Sequence, residues 1–335
     1  MSQHVVVVGA VALGPKAACR FKRLEPDSKV TMVDQSDLIS YGGCGIPYFV
    51  SGDVSDASQL QSTSFHMVRD AKFFQSVKDI DVLTNTGVLS IDRNNKTVRV
   101  RNVLDQQEED LPYDQLVLAT GSRPKRLPVP GADLKGVFTV SNLDEAMAIK
   151  QGLADGEVEK AVVIGAGAIG LEMAEALADL WGIETTVIEV ADQILLGIVS
   201  PNMARMAQCH LEENDIAIRL DEMVQRIEGT DRVEKVTTDK GTIDADMVIM
   251  AVGVAPNGEL AKAAGLEVSA SGAIVVNERM QTSDPHIFAG GDCVEIPHLL
   301  TGKPGYFPSG SLANRQGRVI GTNLAGGNAK FEGAV

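Results

Sequence analysis

The feature that most constrains the fold is a pattern that occurs twice: a short apolar run, a glycine-rich turn, a helical stretch and a second apolar run that ends in an acid. The first copy begins at Val5 and ends at Asp34, and the second begins at Ala161 and ends at Glu189. Continuous β-branched runs bounded by glycine are typical of buried parallel strands, and the stretch between them is typical of a crossover helix. Two such β-α-β units predict two nucleotide-binding domains rather than a solenoid repeat.

Shorter runs complete the predicted architecture. Further strands are predicted at Asp81–Thr84, Gly87–Ile91, Lys96–Val103, Leu116–Ala119, Met247–Ala251 and Ile287–Ala289, and a helix over Ser311–Leu324. No linker rich in Pro, Gly or Ser separates independent modules, so we expect the second domain to be inserted in the first. The prediction is an α/β protein of two Rossmann-like domains of the three-layer ββα type. The predicted boundaries are 1–112 for the first part of the first domain, 113–146 for a connection, 147–262 for the second domain and 263–335 for the remainder of the first.

Composition excludes several classes of partner. Acidic residues number 45 and basic ones 30, and the net charge of −15 argues against duplex nucleic acid or an anionic membrane. No apolar run approaches the roughly 18 residues of a membrane span. The four cysteines are scattered without CxxC or metal-ligand spacing. We therefore expect no metal site, no disulfide framework and a cytoplasmic, reducing location.

The second copy carries a complete G-x-G-x-x-G turn at Gly165, Gly167 and Gly170. Glycines there let a pyrophosphate approach the helix N-terminus, and the acid after the second strand accepts hydrogen bonds from a ribose. No arginine adjoins Glu189, so a 2′-phosphate would meet an unaided carboxylate, and we predict NADH in preference to NADPH. The first copy departs from the pattern because Val11 occupies the second glycine position. Its assignment as a nucleotide site depends on the presence of the second copy.

A lone thiol follows the first acid. Cys44 lies between Gly43 and Gly45, which allow another group to approach closely. If Pro47 begins a helix, the thiol lies near its N-terminus, where a thiolate is stabilised. We expect Cys44 to be reactive and the other three cysteines to be structural.

Together these features resemble the FAD-dependent pyridine nucleotide–disulfide oxidoreductases. Within them the sequence is most similar to the single-cysteine branch of coenzyme A disulfide reductases, NADH-dependent persulfide reductases and flavin NADH oxidases. The segments that carry the resemblance are Gly9–Gly14, the glycines around Cys44, Ala119–Gly121, Gly165–Glu172, Gly253–Asn257, Thr282–Asp292 and Ala313–Arg318. Coenzyme A-using members also tolerate a non-glycine residue where Val11 stands.

The resemblance implies that the first domain binds FAD and the second NADH, with Cys44 on the flavin face opposite the nicotinamide. The residues implied for FAD are Gly9, Ala10, Val11, Ala12, Gly14, Asp34, Val88, Ala119, Thr120, Gly121, Gly291 and Asp292. Those implied for NADH are Gly165, Gly167, Ala168, Ile169, Gly170, Glu172, Glu189 and Gly253. Asp292 would bind the ribityl chain, Val88 would lie by the adenine, and Glu172 near the nicotinamide.

The resemblance also implies a relay in which hydride passes from NADH to the flavin, and electrons then reach an oxidised Cys44. No CxxxxC partner exists, so the oxidised thiol is either a mixed disulfide with a small thiol or a sulfenic acid. The first predicts reduction of coenzyme A disulfide, persulfide or polysulfide. The second predicts an NADH oxidase or peroxidase, and a third alternative is a catalytically silent flavin-binding redox module.

Three cations, Lys16, Arg20 and Arg23, share one face of the first predicted helix. Alone, this face is equally well explained as a solvated surface near a helix C-terminus. The resemblance favours coenzyme A phosphates, since relatives place substrate contacts at these positions. The predicted coenzyme A set is Lys16, Arg20, Arg23, Ser40, Gly43, Arg69 and Lys72. His298 is expected to be a surface histidine rather than a proton donor.

Family members usually continue beyond the predicted last helix into an interface domain that forms a homodimer. This sequence ends at Val335, so we expect it to lack that domain, as a fragment or a short natural variant. We expect such a chain to be monomeric, to bind FAD and to turn over poorly.

Overall fold

The computed structural model describes residues 2–335, which divide into two compact units. Unit 1 comprises the residues up to Gly42, Gln61–Arg123 and Ala255–Val335; unit 2 comprises Gly43–Leu60 and Pro124–Val254. The larger part of unit 2 is thus inserted within unit 1. The domain boundaries predicted from the sequence stay a prediction.

The helices and strands follow in chain order. The helices are α1 (Leu13–Leu24), α2 (Ile46–Ser51), α3 (Ala57–Gln61), α4 (Ala71–Lys78), α5 (Leu143–Ala154), α6 (Ala168–Ala178), α7 (Pro201–Glu213), α8 (Glu259–Ala263) and α9 (Gly310–Leu324). The strands are β1 (His4–Val8), β2 (Lys29–Val33), β3 (Asp81–Leu83), β4 (Thr86–Asp92), β5 (Thr97–Asn102), β6 (Glu108–Pro112), β7 (Gln115–Leu118), β8 (Ser122–Pro124), β9 (Val137–Phe138), β10 (Lys160–Ile164), β11 (Glu184–Ile188), β12 (Ile216–Arg219), β13 (Val224–Glu228), β14 (Lys235–Thr238), β15 (Thr242–Asp244), β16 (Met247–Met250), β17 (Val254–Pro256), β18 (Ile287–Ala289), β19 (Ile296–Pro297) and β20 (Pro304–Gly305).

Unit 1 is built on a five-stranded parallel sheet in the order β18-β7-β1-β2-β3, with β4, β5 and β6 forming a separate antiparallel sheet. Val5, Val6 and Val7 are fully buried, as expected for a central strand covered on both faces. Helices α1 and α9 cross at glycine contacts. A Cβ added at Gly317 would lie 2.9 Å from the Leu13 backbone oxygen, so only glycine permits this close approach.

Unit 2 repeats the plan with a five-stranded parallel sheet in the order β12-β11-β10-β16-β9 and a three-stranded antiparallel sheet, β13-β14-β15. Strand β10 is buried from Ala161 to Ile164. The predicted α/β class with two Rossmann-like parallel-sheet units is confirmed.

Most predicted elements differ from the observed ones by one or two residues. The strand predicted from Lys96 begins at Thr97, because Lys96 has a left-handed φ of 50° that closes the preceding turn. The crossover helix predicted after Gly170 ends at Ala178, ahead of a turn whose Gly182 has a φ of 64°. Within residues 2–335 no helix combines the length and hydropathy needed to cross a bilayer.

Candidate functional site

The carboxyl ends of the parallel strands in unit 1 bring most of the predicted flavin residues to one edge of the sheet. Strand β1 leads into Gly9, β2 into Asp34, β7 into Ala119 and β18 into Gly290. Ligands of open α/β sheets bind outside this edge. Val88 lies apart from these turns, half-buried on β4 and opposite Val100 on β5.

The turn after β1 needs glycine for steric reasons. Gly9 has a φ of 102°, and a Cβ there would lie 2.1 Å from the Ala119 backbone oxygen; a Cβ at Gly14 would lie 1.9 Å from the Gly9 oxygen. Between them, Ala10 is fully buried and Val11 is half-buried. Ala12 caps α1 without a side-chain hydrogen bond, so the first N–H groups of that helix are available to an anion.

Asp34 is held against this turn. Its Oδ2 accepts a hydrogen bond from the Ala10 N–H at 2.7 Å, and its Oδ1 accepts one from the Ser36 N–H at 3.0 Å. Burial nevertheless raises the pKa of this carboxyl. The remaining lone pairs suit the hydroxyl donors of a ribose.

Asp292 is fixed in a similar way. Its Oδ1 accepts a hydrogen bond from the Ser309 N–H at 3.0 Å and its Oδ2 accepts one from the Ser122 hydroxyl at 3.3 Å, while burial raises its pKa. The adjacent Gly291 N–H donates to Oε1 of the buried Gln316 at 2.6 Å. The loop after β18 is thereby tied to α9.

A buried hydroxyl near this edge of the sheet supports the binding of a polar ligand there. Among residues 2–335 the buried phenol oxygen of Tyr306 has no well-aligned hydrogen-bond partner, and burial raises its pKa to about 12, with the nearby Ser122 hydroxyl opposing the effect and the Asp292 charge adding to it. An orphaned buried hydroxyl is unfavourable unless a ligand satisfies it. Thr120 donates its hydroxyl to the Asn257 carbonyl at 2.7 Å, and Gly121, with a φ of 65°, faces open space. These features are compatible with a flavin dinucleotide.

Unit 2 forms an equivalent edge. Gly165 has a φ of 103° and its Cβ would lie 2.5 Å from the Ala251 oxygen, whereas a Cβ on Gly167 would meet nothing within 4 Å. The fold therefore requires Gly165, but Gly167 leaves a space that packing does not explain. Gly170 packs closely, since its Cβ would lie 2.0 Å from the Gly165 oxygen.

The acid of unit 2 is oriented by backbone donors. Glu189 accepts hydrogen bonds from the Ala166 N–H at 2.8 Å and the Ala191 N–H at 2.9 Å. Of the other predicted NADH residues, Gly253 is exposed at the turn after β16 with a φ of 93°. Ala168, Ile169 and Glu172 are exposed on the first turns of α6. The part of the Glu172 carboxyl that is shielded from water, together with the charge of the neighbouring Glu175, raises the pKa of Glu172.

Cys44 belongs to unit 2 and is exposed in a 3₁₀ turn, Gly43–Gly45, that runs directly into α2. Pro47 lies in the first turn of that helix, as predicted. The two flanking glycines differ: a Cβ on Gly45 would lie 2.5 Å from Leu60 Cδ2, whereas a Cβ on Gly43 would meet nothing within 4 Å. The side of the thiol turn at Gly43 is open.

The predicted coenzyme A cations are partly used by the fold. The stems of Lys16 and Arg20 pack on α9, and Arg20 Nε donates to the Thr322 hydroxyl at 3.1 Å. Cys19 lies within electrostatic reach of four cations, Lys16, Arg23, Arg69 and Lys78. Its burial outweighs those charges and raises the thiol pKa, so Cys19 lacks the depressed pKa of a reactive thiol.

The predicted substrate residues Ser40, Arg69 and Lys72, and His298 outside that set, differ in burial and in hydrogen bonding. Ser40 is buried and donates its backbone N–H to the Ala10 carbonyl at 2.7 Å. Lys72 is exposed on α4, and Arg69 Nε donates to the Gln61 carbonyl at 2.9 Å. His298 is half-buried, and its Nδ1 accepts a hydrogen bond from the Leu300 N–H at 3.2 Å.

Sequence reasoning missed three residues of these sites. Gln316 lies in the segment that carried the resemblance, but a buried glutamine among helical residues gives no sign of its partner 25 positions away. Tyr306 stands in a stretch without recognisable periodicity. Lys78 joins the cations around Cys19 only through tertiary structure. Among residues 2–335 no group of three or more His, Cys, Asp or Glu side chains could hold a metal ion.

The comparisons with known proteins agree with this geometry. A family model described as pyridine nucleotide-disulphide oxidoreductase matches residues 3–314. The chain is 39% identical to an NADH oxidase of Methanocaldococcus jannaschii over 98% of the chain and 71% of that protein. It is 38% identical to a CoA-dependent NAD(P)H sulfur oxidoreductase of Pyrococcus abyssi over 100% of the chain and 72% of that protein.

Solved structures that superpose on this chain agree with the sequence matches. An NAD-dependent persulfide reductase from A. fulgidus superposes with a TM-score of 0.96 at 44% identity, over 98% of this chain and 60% of that one. An FAD-dependent pyridine nucleotide-disulphide oxidoreductase from Desulfovibrio vulgaris superposes with a TM-score of 0.81 at 50% identity, over 99% of this chain and 73% of that one. The chain thus spans about three fifths to three quarters of the length of these proteins.

Proposed function

The chain belongs to the pyridine nucleotide-disulphide oxidoreductase family, and we propose that it is an FAD- and NADH-dependent reductase of coenzyme A disulfide, persulfide or polysulfide, with Cys44 as the redox thiol. Membership of the family confirms the resemblance and the oxidoreductase class inferred from the sequence. The observation that carries the proposal is an exposed Cys44 beside a glycine, Gly43, that leaves open space.

In unit 1, FAD would be held by the Gly9–Gly14 turn, by Asp34 on the adenosine side and by Asp292 on the ribityl chain. When bound, it supplies a carrier for two electrons between NADH and a thiol. The oriented carboxylates and the orphaned phenol of Tyr306 support this assignment.

In unit 2, the N–H groups at the start of α6 would bind the NADH pyrophosphate over Gly167, and Glu189 would accept hydrogen bonds from the ribose. A preference for NADH over NADPH is part of the proposal. Its support is that Glu189 is a fixed carboxylate followed by Val190 and Ala191, so a 2′-phosphate would approach a like charge that no cation adjacent in sequence offsets.

Cys44 would act on the substrate as a thiolate. It attacks one sulfur of the substrate disulfide, the S–S bond breaks, and a thiolate of coenzyme A leaves as a mixed disulfide forms on Cys44. Two electrons that originate from NADH then cleave the mixed disulfide, which restores the Cys44 thiolate and releases the second thiol. The sequence offers Cys44 no CxxxxC partner, so the proposal takes the reacting sulfur from another molecule.

Coenzyme A is the proposed thiol because a cationic surface occurs in an otherwise acidic protein. Arg23 is exposed at the end of α1, and Lys16, Arg69 and Lys78 lie near it around Cys19. Phosphate groups suit such a cluster. A cytoplasmic location, as inferred from the scattered free cysteines, belongs to the same proposal.

An NADH oxidase or peroxidase is the second candidate, and the NADH oxidase relative from Methanocaldococcus jannaschii favours it. In a peroxidase the Cys44 thiolate would attack a peroxide oxygen, forming a sulfenic acid and releasing hydroxide. Two electrons that originate from NADH would return the sulfenic acid to the thiolate and release water, and in an oxidase two further electrons would first reduce O2 to the peroxide. NADH consumption with coenzyme A disulfide under anaerobic conditions, compared with consumption driven by oxygen, separates the two candidates.

The test of the proposed function enlarges Gly43. Gly43→Leu fills the open side of the thiol turn without opposing the fold, so turnover of coenzyme A disulfide is expected to fall at least about tenfold while alkylation of Cys44 by small iodoacetamide stays within about threefold. Gly152→Ala on α5, where the nearest atom to the new Cβ is 3.9 Å away, serves as the control. Unchanged disulfide turnover in Gly43→Leu, or retained turnover in Cys44→Ser, would contradict the proposal.

A further inference from the structure

The helix that follows the thiol turn is fastened at its far end by residues distant in sequence. Helix α2 has six residues, Ile46–Ser51, and is therefore about 9 Å long. The last carbonyls of a helix have no partner within it. Here the Trp181 Nε1–H donates to the Val50 carbonyl at 2.7 Å.

Lys150 on α5 makes the second attachment. Its Nζ donates to the Val54 carbonyl at 2.9 Å and to the Ser55 carbonyl at 3.2 Å. The same ammonium lies 4.1 Å from the centroid of the Phe49 ring, within the range of a cation–π interaction. One cation thus connects α5 both to α2 and to the loop that leaves it.

The surroundings of α2 are closely packed. Gly52, the C-cap of α2, has a φ of 102°, and a Cβ there would lie 2.4 Å from Leu180 Cδ2. Phe49 is 5% exposed. Burial lowers the pKa of Lys150, with the Asp56 charge opposing the shift. A half-buried ammonium is unfavourable unless its donors are satisfied, and two carbonyls and a ring face satisfy this one.

We propose that Lys150 is a positioning residue for Cys44: by holding Phe49, Val54 and Ser55, it fixes the axial position of α2 and hence of the thiol turn at its N-terminal end. This inference rests on the proposed role of Cys44. A short helix transmits a shift at one end to the other, and misplacing a reacting group by about 1 Å can lower a rate up to about a hundredfold. The hydrogen bonds of Lys150 go to the Val54 and Ser55 carbonyls rather than to the dinucleotide turn or Glu189, so the effect is expected in the disulfide step alone.

The test compares Lys150→Met, Lys150→Arg and the control Lys240→Met in the FAD-loaded protein. Lys240 also donates to a backbone carbonyl of unit 2, that of Leu220, at 3.2 Å, but not near α2. Lys150→Met is expected to lower kcat for coenzyme A disulfide and the rate of Cys44 alkylation by about tenfold, with the KM for NADH within about twofold. Lys150→Arg keeps donors for both carbonyls and should recover most of the rate.

A second variant removes the other attachment of α2, so that the result does not depend on correct folding of Lys150→Met alone. Trp181→Phe keeps an aromatic ring but removes the Nε1–H donor, and it should change both rates in the same direction by a smaller factor. Backbone amides of residues 46–56 should exchange hydrogen faster in Lys150→Met, whichever substrate Cys44 acts on. Alkylation and exchange like those of the unsubstituted protein would overturn the positioning role. Retained disulfide reduction in Cys44→Ser would overturn the proposed function instead, and leaves the exchange result standing.

Discussion

Replacing either of two glycines of the unit 2 turn by alanine should have different consequences: a loss of stability at Gly165 and a loss of NADH affinity at Gly167. Gly165→Ala places a Cβ 2.5 Å from the Ala251 oxygen and at a φ of 103°. Left-handed strain costs roughly 1–2 kcal/mol for a residue with a Cβ, and forced overpacking roughly 1–3 kcal/mol. We therefore expect Gly165→Ala to lower the free energy of unfolding by about 3 kcal/mol.

Gly167→Ala should leave stability almost unchanged. Gly167 has a φ of −76° and faces open space, so alanine fits there. Because alanine restricts the unfolded chain, the free energy of unfolding should rise by about 0.4–1 kcal/mol. Alanine is a poorer N-cap than glycine by a similar amount, and the two effects offset each other within about 0.5 kcal/mol. The new methyl occupies the space assigned to the pyrophosphate, so NADH affinity should fall about tenfold to a hundredfold, or roughly 1.4–2.7 kcal/mol.

The sole tryptophan makes this separation measurable. Trp181 lies in unit 2, so its fluorescence during urea unfolding reports on the unit that carries both substitutions. Calorimetric titration with NADH gives the affinity of each variant. If Gly167→Ala bound NADH within twofold of the unsubstituted chain, the space over Gly167 would not be where the dinucleotide lies. If Gly165→Ala unfolded at an unchanged urea concentration, the steric reasoning would be wrong.

Three further changes test the other assignments. Burial raises the pKa of Asp34, so the charged form of this carboxyl opposes folding. The melting temperature of Asp34→Asn should therefore rise relative to that of the unsubstituted chain as the pH increases through the raised pKa. A difference in melting temperature that stays the same at every pH would contradict this. Glu189→Ala removes the carboxylate from the ribose site and should reduce the ratio of kcat/KM for NADH over NADPH about tenfold; an unchanged ratio would remove Glu189 from cofactor selection. Arg23→Gln should weaken coenzyme A binding more at low than at high salt, whereas the exposed Lys262→Gln should not.

The parts of the fold that follow local rules could be predicted from the sequence. The runs beginning at Val5 and Ala161, with their glycine turns and terminal acids, identify two parallel-sheet units because strand, turn and helix signals there agree. The same rules identify Asp34 and Glu189, since each directly follows a buried strand. Element ends are less predictable, because Lys96 and Gly182 close turns through left-handed φ values that composition only suggests.

The parts that depend on distant contacts could not be predicted. The segment from Gly43 to Leu60 follows the first acid in sequence, yet it belongs to unit 2. The residues that hold it, Lys150 and Trp181, lie 96 and 131 positions from their partners Val54 and Val50. A lysine on an amphipathic helix and a tryptophan at a helix end give no local signal of such partners. The orphaned Tyr306 is hidden for the same reason.

The central claim is that Cys44 forms a mixed disulfide with coenzyme A and that NADH reverses it. Peptide mass spectrometry of the FAD-loaded protein, incubated with coenzyme A disulfide without NADH, tests this directly. The expected result is a coenzyme A adduct on the peptide containing Cys44, absent from Cys19 and Cys209, that disappears when NADH is added anaerobically. An unmodified Cys44, or an adduct that NADH leaves in place, would contradict the account.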